Sequence, residues 1–355
     1  MNFSMNKIKI GVIFGGMSTE HDVSIVSGTS VIQNLDREKY DIYPIYISKD
    51  GNWFKYITLV EEIKILHIGE EPKELEIIEN PLKYLKQMDV IFPVLHGLYG
   101  EDGTIQGLLE LIKVPYVGCK VLGSCISMDK VYTKIVLDKA KINQVKYVYI
   151  RRYQDNYIYI DEQFNETILS LNEVSEKVSQ KLNFPVFVKP SNSGSSVGVK
   201  KAEDIEEFKK AIEFASKYDT KVLIEQGIDA RELECGVLGN EEPQVSCVGE
   251  ILPAEEFYSY DAKYKNDDSR VLIPANITKE EENKIKHLAI KAFKALDAKG
   301  LSRVDFFIDR KTGGIYLNEI NTMPGFTQIS MYPKVWEKSG IGYGELLDKL
   351  INLAM

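Results

Sequence analysis

Acidic and amide side chains recur at alternate positions in two apolar segments near the end of the chain. Asp305 lies inside SRVDFF, and Glu319 and Asn321 lie two residues apart in YLNEIN. Alternate residues of a β-strand point to one face, so each segment would present its polar groups together. Oxygen ligands buried on one face are costly without a cation, and Mg²⁺ prefers such ligands. The spacing predicts a magnesium site, with a half-polar, solvent-facing strand as the alternative.

Arg303 precedes Asp305 by two residues and would therefore share its face of the strand. A guanidinium near a metal can clamp a carboxylate or an anionic oxygen with two hydrogen bonds. The alternative is that Arg303 only neutralises the neighbouring acids.

A second candidate is the turn in VKPSNSGSSVG, residues 188–198, where Lys189 ends an apolar strand before serines and glycines. The lysine precedes the glycines, so the segment lacks the order of a P-loop. It fits a flexible flap between two antiparallel strands, whose N–H groups and hydroxyls could close over phosphates. Turn chemistry alone would equally allow a plain hairpin.

The first 120 residues alternate between strand and helix patterns. Residues 9–14 and 89–95 are apolar strands, and residues 104–112 have helical spacing. Ser18 is the predicted N-cap of a helix that carries Val23 and Val31. The pattern predicts a Rossmann-like parallel sheet with helices, whose ligands bind at the carboxyl ends of the strands.

The remaining residues predict two α+β units. Residues 121–220 combine a helix, the flap strands and an amphipathic helix, and residues 221–355 alternate strands with one long helix from 279 to 296. The third unit should hold an antiparallel sheet. Residues 255–275 are too polar and aromatic for a core strand and predict an omega-like, functional loop.

Bulk composition limits the classes of function. The 355 residues carry a formal charge of −9, which argues against a nucleic-acid partner. No apolar run approaches the ~18 to 20 residues that cross a bilayer, and the first strand does not resemble an export signal. The four cysteines lack the CxxC spacing of a zinc site. We expect a cytoplasmic protein with no membrane partner.

Taken together, these features resemble a known family. The strand-ending lysine, the flap, an IEQ strand and the Asp, Glu and Asn face resemble the ATP-grasp fold, in which nucleotide lies between two α+β units. Seven blocks in family order also resemble the signature blocks of D-alanine–D-alanine ligases and span essentially the whole chain. These are GGMSTEHDVS, LHGLYGEDGTIQG, MDK, VKPSNSGSSVG, YDAKY, SRVDFF and NEINTMPGFT.

The resemblance implies an enzyme that uses ATP to phosphorylate the carboxylate of one D-alanine before the amine of a second attacks the acyl phosphate. Two Mg²⁺ ions, with Mn²⁺ as a substitute, would lie on Asp305, Glu319 and Asn321. The residues implied to bind ATP are Lys130, Lys189, Ser195, Ser196, Glu225, Glu232 and Asn318. The resemblance also implies a role in peptidoglycan precursor synthesis and a homodimer.

For the first D-alanine, the resemblance implies that Glu20 receives the ammonium group and is linked to Ser195 and Tyr264. Without the family, Glu20 could equally be a residue favoured by the dipole of the following helix. Arg303 and the N–H of Gly325 are implied to stabilise the tetrahedral intermediate. Gly325 follows a proline, so a simple turn is its alternative.

For the second substrate, the resemblance implies that Lys263 and Ser330 take the carboxylate and that His96 and Met331 lie nearby. A core histidine is the alternative for His96. Three residues depart from the family pattern and leave the acceptor open: Gln226, Met323 and Ile329. D-Serine is the alternative acceptor, D-lactate a weaker one, and a non-catalytic nucleotide-binding relative a third reading.

Overall fold

The computed structural model describes residues 7–252 and 270–355. Its first layer is a five-stranded sheet in the order β4-β3-β2-β1-β5, with β1 parallel to both β2 and β5. β3 pairs antiparallel with both β2 and β4, and β4 forms one edge of the sheet. The predicted parallel sheet is confirmed for β2, β1 and β5, whereas the antiparallel strands β3 and β4 were not predicted. The elements are β1 (Ile8–Gly15), α1 (His21–Asn34), β2 (Tyr40–Ile47), β3 (Trp53–Tyr56), β4 (Leu75–Ile77), α2 (Pro81–Leu85), β5 (Val90–Val94) and α3 (Thr104–Ile112).

The helix after the first strand begins later than predicted. Its N-cap is Glu20, and the prediction of Ser18 was wrong. The Ser18 hydroxyl instead donates to the carbonyl of His96, 2.7 Å away, and so ties the β1 turn to the turn after β5. The Glu20 side chain makes no capping hydrogen bond, which leaves its carboxylate available to the cleft.

The second layer is an antiparallel sheet in the order β10-β9-β11-β6-β7-β8. Lys200 pairs with Val188, so the glycine-serine segment connects two antiparallel strands as predicted. β11 also belongs to this sheet, although the predicted division at residue 220 assigned it to the next unit. The elements are β6 (Tyr147–Tyr153), β7 (Asn156–Ile160), β8 (Glu166–Leu169), α6 (Leu171–Ser179), β9 (Val186–Pro190), β10 (Lys200–Ala202), α7 (Ile205–Ala215) and β11 (Lys221–Gln226).

The third layer is an antiparallel sheet in the order β14-β13-β12-β15-β16, as predicted. Of the predicted loop at 255–275, residues 255–269 lie outside the described residues. Two helices that precede the second layer, α4 (Val121–Met128) and α5 (Lys130–Lys139), pack on this third layer. Its other elements are β12 (Ala230–Gly239), β13 (Gln244–Leu252), β14 (Arg270–Leu272), α8 (Lys279–Ala295), β15 (Gly300–Asp309), β16 (Ile315–Asn321), α9 (Met331–Lys338) and α10 (Tyr343–Ala354).

The first and third layers share one hydrophobic core. Leu346 and Leu350 of α10 are fully buried in a cluster with Phe14 and Phe92 of the first sheet. The second layer has a separate core, built around Phe208 and helices α6 and α7. Glu20 and the β15–β16 face therefore belong to one packed unit, whereas the flap belongs to another. Within the described ranges, no helix combines the length and apolarity needed to cross a bilayer.

Candidate active site

A cleft of about 1010 Å³ lies where the three layers meet. The candidate residues Lys263 and Tyr264 lie outside the described residues. Every other candidate lines the cleft except Asp305, which is buried beneath Arg303. The lining candidates are Glu20, His96, Lys130, Lys189, Ser195, Ser196, Glu225, Glu232, Arg303, Asn318, Glu319, Asn321, Gly325, Ser330 and Met331.

The predicted acidic face forms between β15 and β16. Asp305 pairs with Glu319 and Arg303 pairs with Asn321 across the two strands, so all four side chains share one face. The Asn321 Nδ2 donates to Asp305 Oδ2 at 3.1 Å. Two carboxylates and an amide oxygen suit Mg²⁺, which takes few protein ligands and completes its shell with water and phosphate oxygens. The residues therefore fit the predicted metal site.

Arg303 is held between carboxylates on this face. Its Nε and Nη2 donate to the two oxygens of Asp305 at 2.8 and 2.7 Å, and Nε lies 2.9 Å from Glu234 Oε2. Burial opposes the charged form, but Asp305 and Glu234 hold the pKa of Arg303 well above its ordinary value. Sequence reasoning missed Glu234, although it lies two residues after Glu232 and pairs with Asp305.

The flap reaches the first layer through a hydrogen bond that the Ser195 hydroxyl donates to the Glu20 carboxylate. Ser195 and Ser196 adopt positive φ angles of 49° and 59°, a conformation that is costly for side chains other than glycine and that concentrates at functional sites. A Cβ on Gly97 or Gly194 would collide with Glu20 Oε2. The backbone thus encloses the carboxylate closely from two sides.

Asp129 fastens the base of the flap to helix α5. Its Oδ1 accepts the N–H groups of Val131 and Tyr132, both at 3.1 Å, and the hydroxyl of Ser191 at 2.5 Å. Burial raises the pKa of Asp129, but an ion pair with Lys221 and these hydrogen bonds outweigh it and lower the pKa. Asp129 is therefore both the N-cap of helix α5 and the anchor of the flap.

The candidate ATP residue Lys130 follows Asp129 at the start of α5. Its backbone N–H donates to the Ser191 carbonyl at 3.1 Å, and its Nζ lies 2.5 Å from the Ser193 carbonyl. Lys130 is thereby placed beneath the flap, where an approaching phosphate could replace the carbonyl contact.

The wall between α5 and β9 carries a buried charge cluster. Lys134 Nζ lies 2.6 Å from Glu225 Oε1, and Lys189 Nζ lies 2.5 Å from Glu225 Oε2. Burial opposes ionisation of Glu225, yet the two ammonium groups lower its pKa to about 2. Burial likewise lowers the pKa of Lys189, but the charge of Glu225 outweighs it and the net shift is upward. Sequence reasoning missed Lys134.

His96 is a bracing residue in this structure. Its Nδ1 lies 2.9 Å from the Met323 carbonyl and its Nε2 lies 2.9 Å from the Ser27 hydroxyl, which also accepts the Phe326 N–H at 3.2 Å. Burial lowers the pKa of His96. A neutral ring with its proton on Nδ1 satisfies both contacts, because Ser27 can then donate to Nε2. His96 connects α1 to the loop that contains Gly325.

Glu101 supports the same loop and was not predicted. Its two oxygens accept the N–H groups of Gly97 and Met323 at 2.9 and 2.8 Å. Burial and the nearby charge of Glu20 raise the pKa of Glu101 to about 7, against the pull of these two hydrogen bonds. A carboxyl in a GEDG turn next to His96 was the available signal.

The loop after β16 presents the remaining candidates. Among the described residues, none accepts a hydrogen bond from the Gly325 N–H. The Ser330 hydroxyl accepts the Thr327 N–H at 3.1 Å and lies where a Cβ on Gly325 would clash. Met331 is buried at the start of α9 and packs over Gly249. A donor, a hydroxyl and an apolar side chain therefore meet at one end of the cleft.

The structure combines two antiparallel sheets around a lysine-lined cleft with a flap hairpin and an acidic strand pair. These features define an ATP-grasp ligase. The family model "D-ala D-ala ligase N-terminus" matches residues 9–119 and "D-ala D-ala ligase C-terminus" matches residues 136–352. The chain belongs to the D-alanine–D-alanine ligase family, whose members are ATP-dependent.

The similarity to known proteins extends over nearly the whole chain. The D-alanine–D-alanine ligases of Clostridium novyi and Clostridium acetobutylicum are 49% and 50% identical to it, over 98% of this chain and 98% of each relative. The structure of the VanG D-Ala:D-Ser ligase from Enterococcus faecalis is 36% identical with a TM-score of 0.84, over 99% and 100% of the two chains. The D-alanine–D-alanine ligase from Coxiella burnetii is 33% identical with a TM-score of 0.81, over 99% and 94%.

Proposed function

We propose that the protein joins two D-alanines at the expense of ATP, giving the dipeptide used in peptidoglycan precursors. The observation that carries the proposal is the Glu20–Ser195 hydrogen bond, which closes the flap over a cleft that Arg303, Glu319 and Asn321 also line. The cleft thus offers an anion for an ammonium group in Glu20, and cations for phosphates in Lys130 and Lys189.

In the first step, the γ-phosphoryl group of ATP moves to a carboxylate oxygen of the first D-alanine, and ADP forms. Lys130 and Lys189 are proposed to hold the phosphates, because both reach the cleft beneath the flap. Glu225, Glu232 and Asn318 would complete the nucleotide site. Two Mg²⁺ ions on Asp305, Glu319 and Asn321, replaceable by Mn²⁺, would neutralise the charge that develops on the phosphates.

In the second step, the amine of the second D-alanine attacks the acyl carbon, loses a proton and expels phosphate. Arg303 and the Gly325 N–H are proposed to stabilise the negative oxygen of the tetrahedral intermediate. Ser330 and Lys263 would bind the carboxylate of the second D-alanine by donating hydrogen bonds to it. His96 and Met331 would shape the pocket for its methyl group. Tyr264 would join Glu20 and Ser195 at the first amino acid.

The reaction is tested by measuring ADP release from purified protein with ATP, Mg²⁺ and D-alanine, and by identifying the product. We expect D-alanine-dependent ADP release and D-alanyl-D-alanine. The Glu319→Ala variant is the control and should be inactive. Absence of D-alanine-dependent release would support a non-catalytic nucleotide-binding protein instead.

Acceptor choice is tested by competing D-serine against D-alanine at neutral pH. The similarity to a D-Ala:D-Ser ligase structure makes this comparison necessary. We expect a higher kcat/KM for D-alanine, because Met331 presents an apolar side chain, but a methyl-sized difference is worth only ~1 to 3 kcal/mol. Preference for D-serine would overturn the proposed acceptor.

The proposal includes a cytoplasmic homodimer, since ATP is the phosphoryl donor and the family resemblance implies a dimer. Light scattering of the eluted protein gives the mass in solution, which should be close to twice the 40.4 kDa of the chain. A mass of one chain would refute the dimer and leave the proposed chemistry intact.

A further inference from the structure

Glu225 is one carboxylate shared by two lysines in the wall of the nucleotide cleft. Its side chain is only 4% exposed, and Lys134 and Lys189 approach its two oxygens separately, at 2.6 and 2.5 Å. A buried carboxylate needs at least one such partner, because an unpaired charge in a protein interior is strongly unfavourable. Glu225 therefore has one ionic partner more than it needs to remain charged in the interior.

The two lysines differ in what they can do next. Lys134 is 2% exposed and lies on helix α5, one turn after Lys130, where its ammonium group also lies 5.2 Å from the ring of Tyr147. Lys189 is 17% exposed and stands at the end of β9, where the flap begins. Both lysines line the cleft, but Lys134 is almost completely enclosed by protein, whereas more of Lys189 is open to the space that phosphates would enter.

Movement of Lys189 toward a phosphate weakens its ion pair with Glu225. If Glu225 had no other partner, nucleotide binding would leave its charge buried and unpaired. Lys134 removes that penalty, because it remains at the other carboxylate oxygen.

We propose that Lys134 is a positioning residue for nucleotide binding: it stays paired with Glu225 and thereby releases Lys189 to the phosphates. The inference rests on the proposed phosphate role of Lys189. It assigns to Lys134 no direct contact with the nucleotide.

The test compares the affinities of ADP and adenosine, measured by displacement of a fluorescent ADP analogue. Their ratio isolates the contribution of the phosphates. In Lys134→Met, Lys189 is the remaining partner of Glu225, and we expect the ratio to fall at least about 10-fold, equivalent to about 1.4 kcal/mol. Lys134→Arg keeps the charge, and its ratio should stay within about 3-fold of the unmodified protein.

A double-mutant cycle separates this role from simple damage to the wall. In a Glu225→Gln background there is no carboxylate that could be left without a partner. Adding Lys134→Met should then leave the ratio of ADP to adenosine affinity unchanged. The proposal is overturned if Lys134→Met weakens ADP and adenosine by the same factor, or if it lowers the ratio equally in the Glu225→Gln background. Should Lys134→Met fail to fold, as judged by its thermal unfolding, Lys134→Gln takes its place with the same expectations.

Lys189→Met distinguishes failure of the inference from failure of the proposed function. We expect this variant to lose most of the phosphate contribution by itself. An unchanged ratio in Lys189→Met would refute the phosphate role of Lys189. A reduced ratio in Lys189→Met combined with an unchanged ratio in Lys134→Met would refute only the role of Lys134.

Discussion

Ser195 in the flap donates a hydrogen bond to Glu20 in the first layer, and this bond joins two parts of the molecule that have separate hydrophobic cores. The flap is therefore held down at the point where the first D-alanine is proposed to bind. Substrate at Glu20 and closure of the flap should depend on each other.

Removing this bond should weaken use of the first D-alanine. A hydrogen bond to a charged group contributes about 1.5 to 3 kcal/mol, so we expect Ser195→Ala to lower kcat/KM for D-alanine roughly 10- to 100-fold. Ser196→Ala is the matched comparison, because it should raise the KM for ATP with a smaller effect on D-alanine. Equal effects of the two substitutions on both substrates would contradict the assignment.

The β15–β16 face should set the requirement for magnesium. Glu319→Gln keeps the shape of the side chain but removes its charge, and we expect the Mg²⁺ concentration for half-maximal activity to rise at least about 10-fold. Glu250→Gln is the control, since Glu250 is a buried carboxylate of the same sheet that pairs with Arg231. Steady-state rates over a Mg²⁺ titration give the result. A similar shift in both variants would show that general damage to the sheet is responsible.

Glu101 should lose a proton when the first D-alanine binds near neutral pH. The charge of Glu20 contributes to raising the pKa of Glu101 to about 7, and an ammonium group at Glu20 would cancel that contribution and lower the pKa. Near pH 7, binding should therefore release a fraction of a proton. Calorimetric titrations of D-alanine in two buffers of different ionisation enthalpy measure this release. Glu101→Gln should abolish it, and unchanged release in that variant would locate the titrating group elsewhere.

Ser27 and His96 should act as one unit. Ser27 bonds both the His96 ring and the Phe326 N–H, so either substitution loosens the loop that presents Gly325. We expect Ser27→Ala and His96→Ala each to lower kcat, and the double variant to lose much less than the product of the two effects. Because burial lowers the pKa of His96, the kcat/KM profile should lack an inflection from this residue near pH 6.5. Additive losses, or an inflection that disappears in His96→Ala, would contradict this reading.

Residues that alternate along single strands could be predicted from the sequence. Because alternate residues of a β-strand share a face, the sequence predicted that Arg303 lies beside Asp305 and that Glu319 lies beside Asn321. The strand–turn–strand pattern around Lys189 also predicted the flap hairpin correctly.

Contacts between distant segments could not be predicted in this way. Lys134 meets Glu225 across 91 positions of the chain, and Ser27 meets His96 across 69, so no local spacing reveals either pair. The N-cap error at Ser18 has a local origin: its hydroxyl oxygen accepts the N–H of Glu20 and so stabilises the turn before the helix instead of the first helical turn. The family resemblance named His96 without showing that both of its nitrogens brace a loop.

The core shared by the first and third layers also has a consequence for synthesis on the ribosome. Residues 90–94 of β5 emerge early, yet they share their core with Leu346, Leu347, Leu350 and Ile351 of α10, which packs on β5 and is translated about 250 residues later. Part of the apolar surface of the first sheet therefore stays unburied until the last helix has been synthesised. The second layer, with its own interior, can by contrast fold while translation continues.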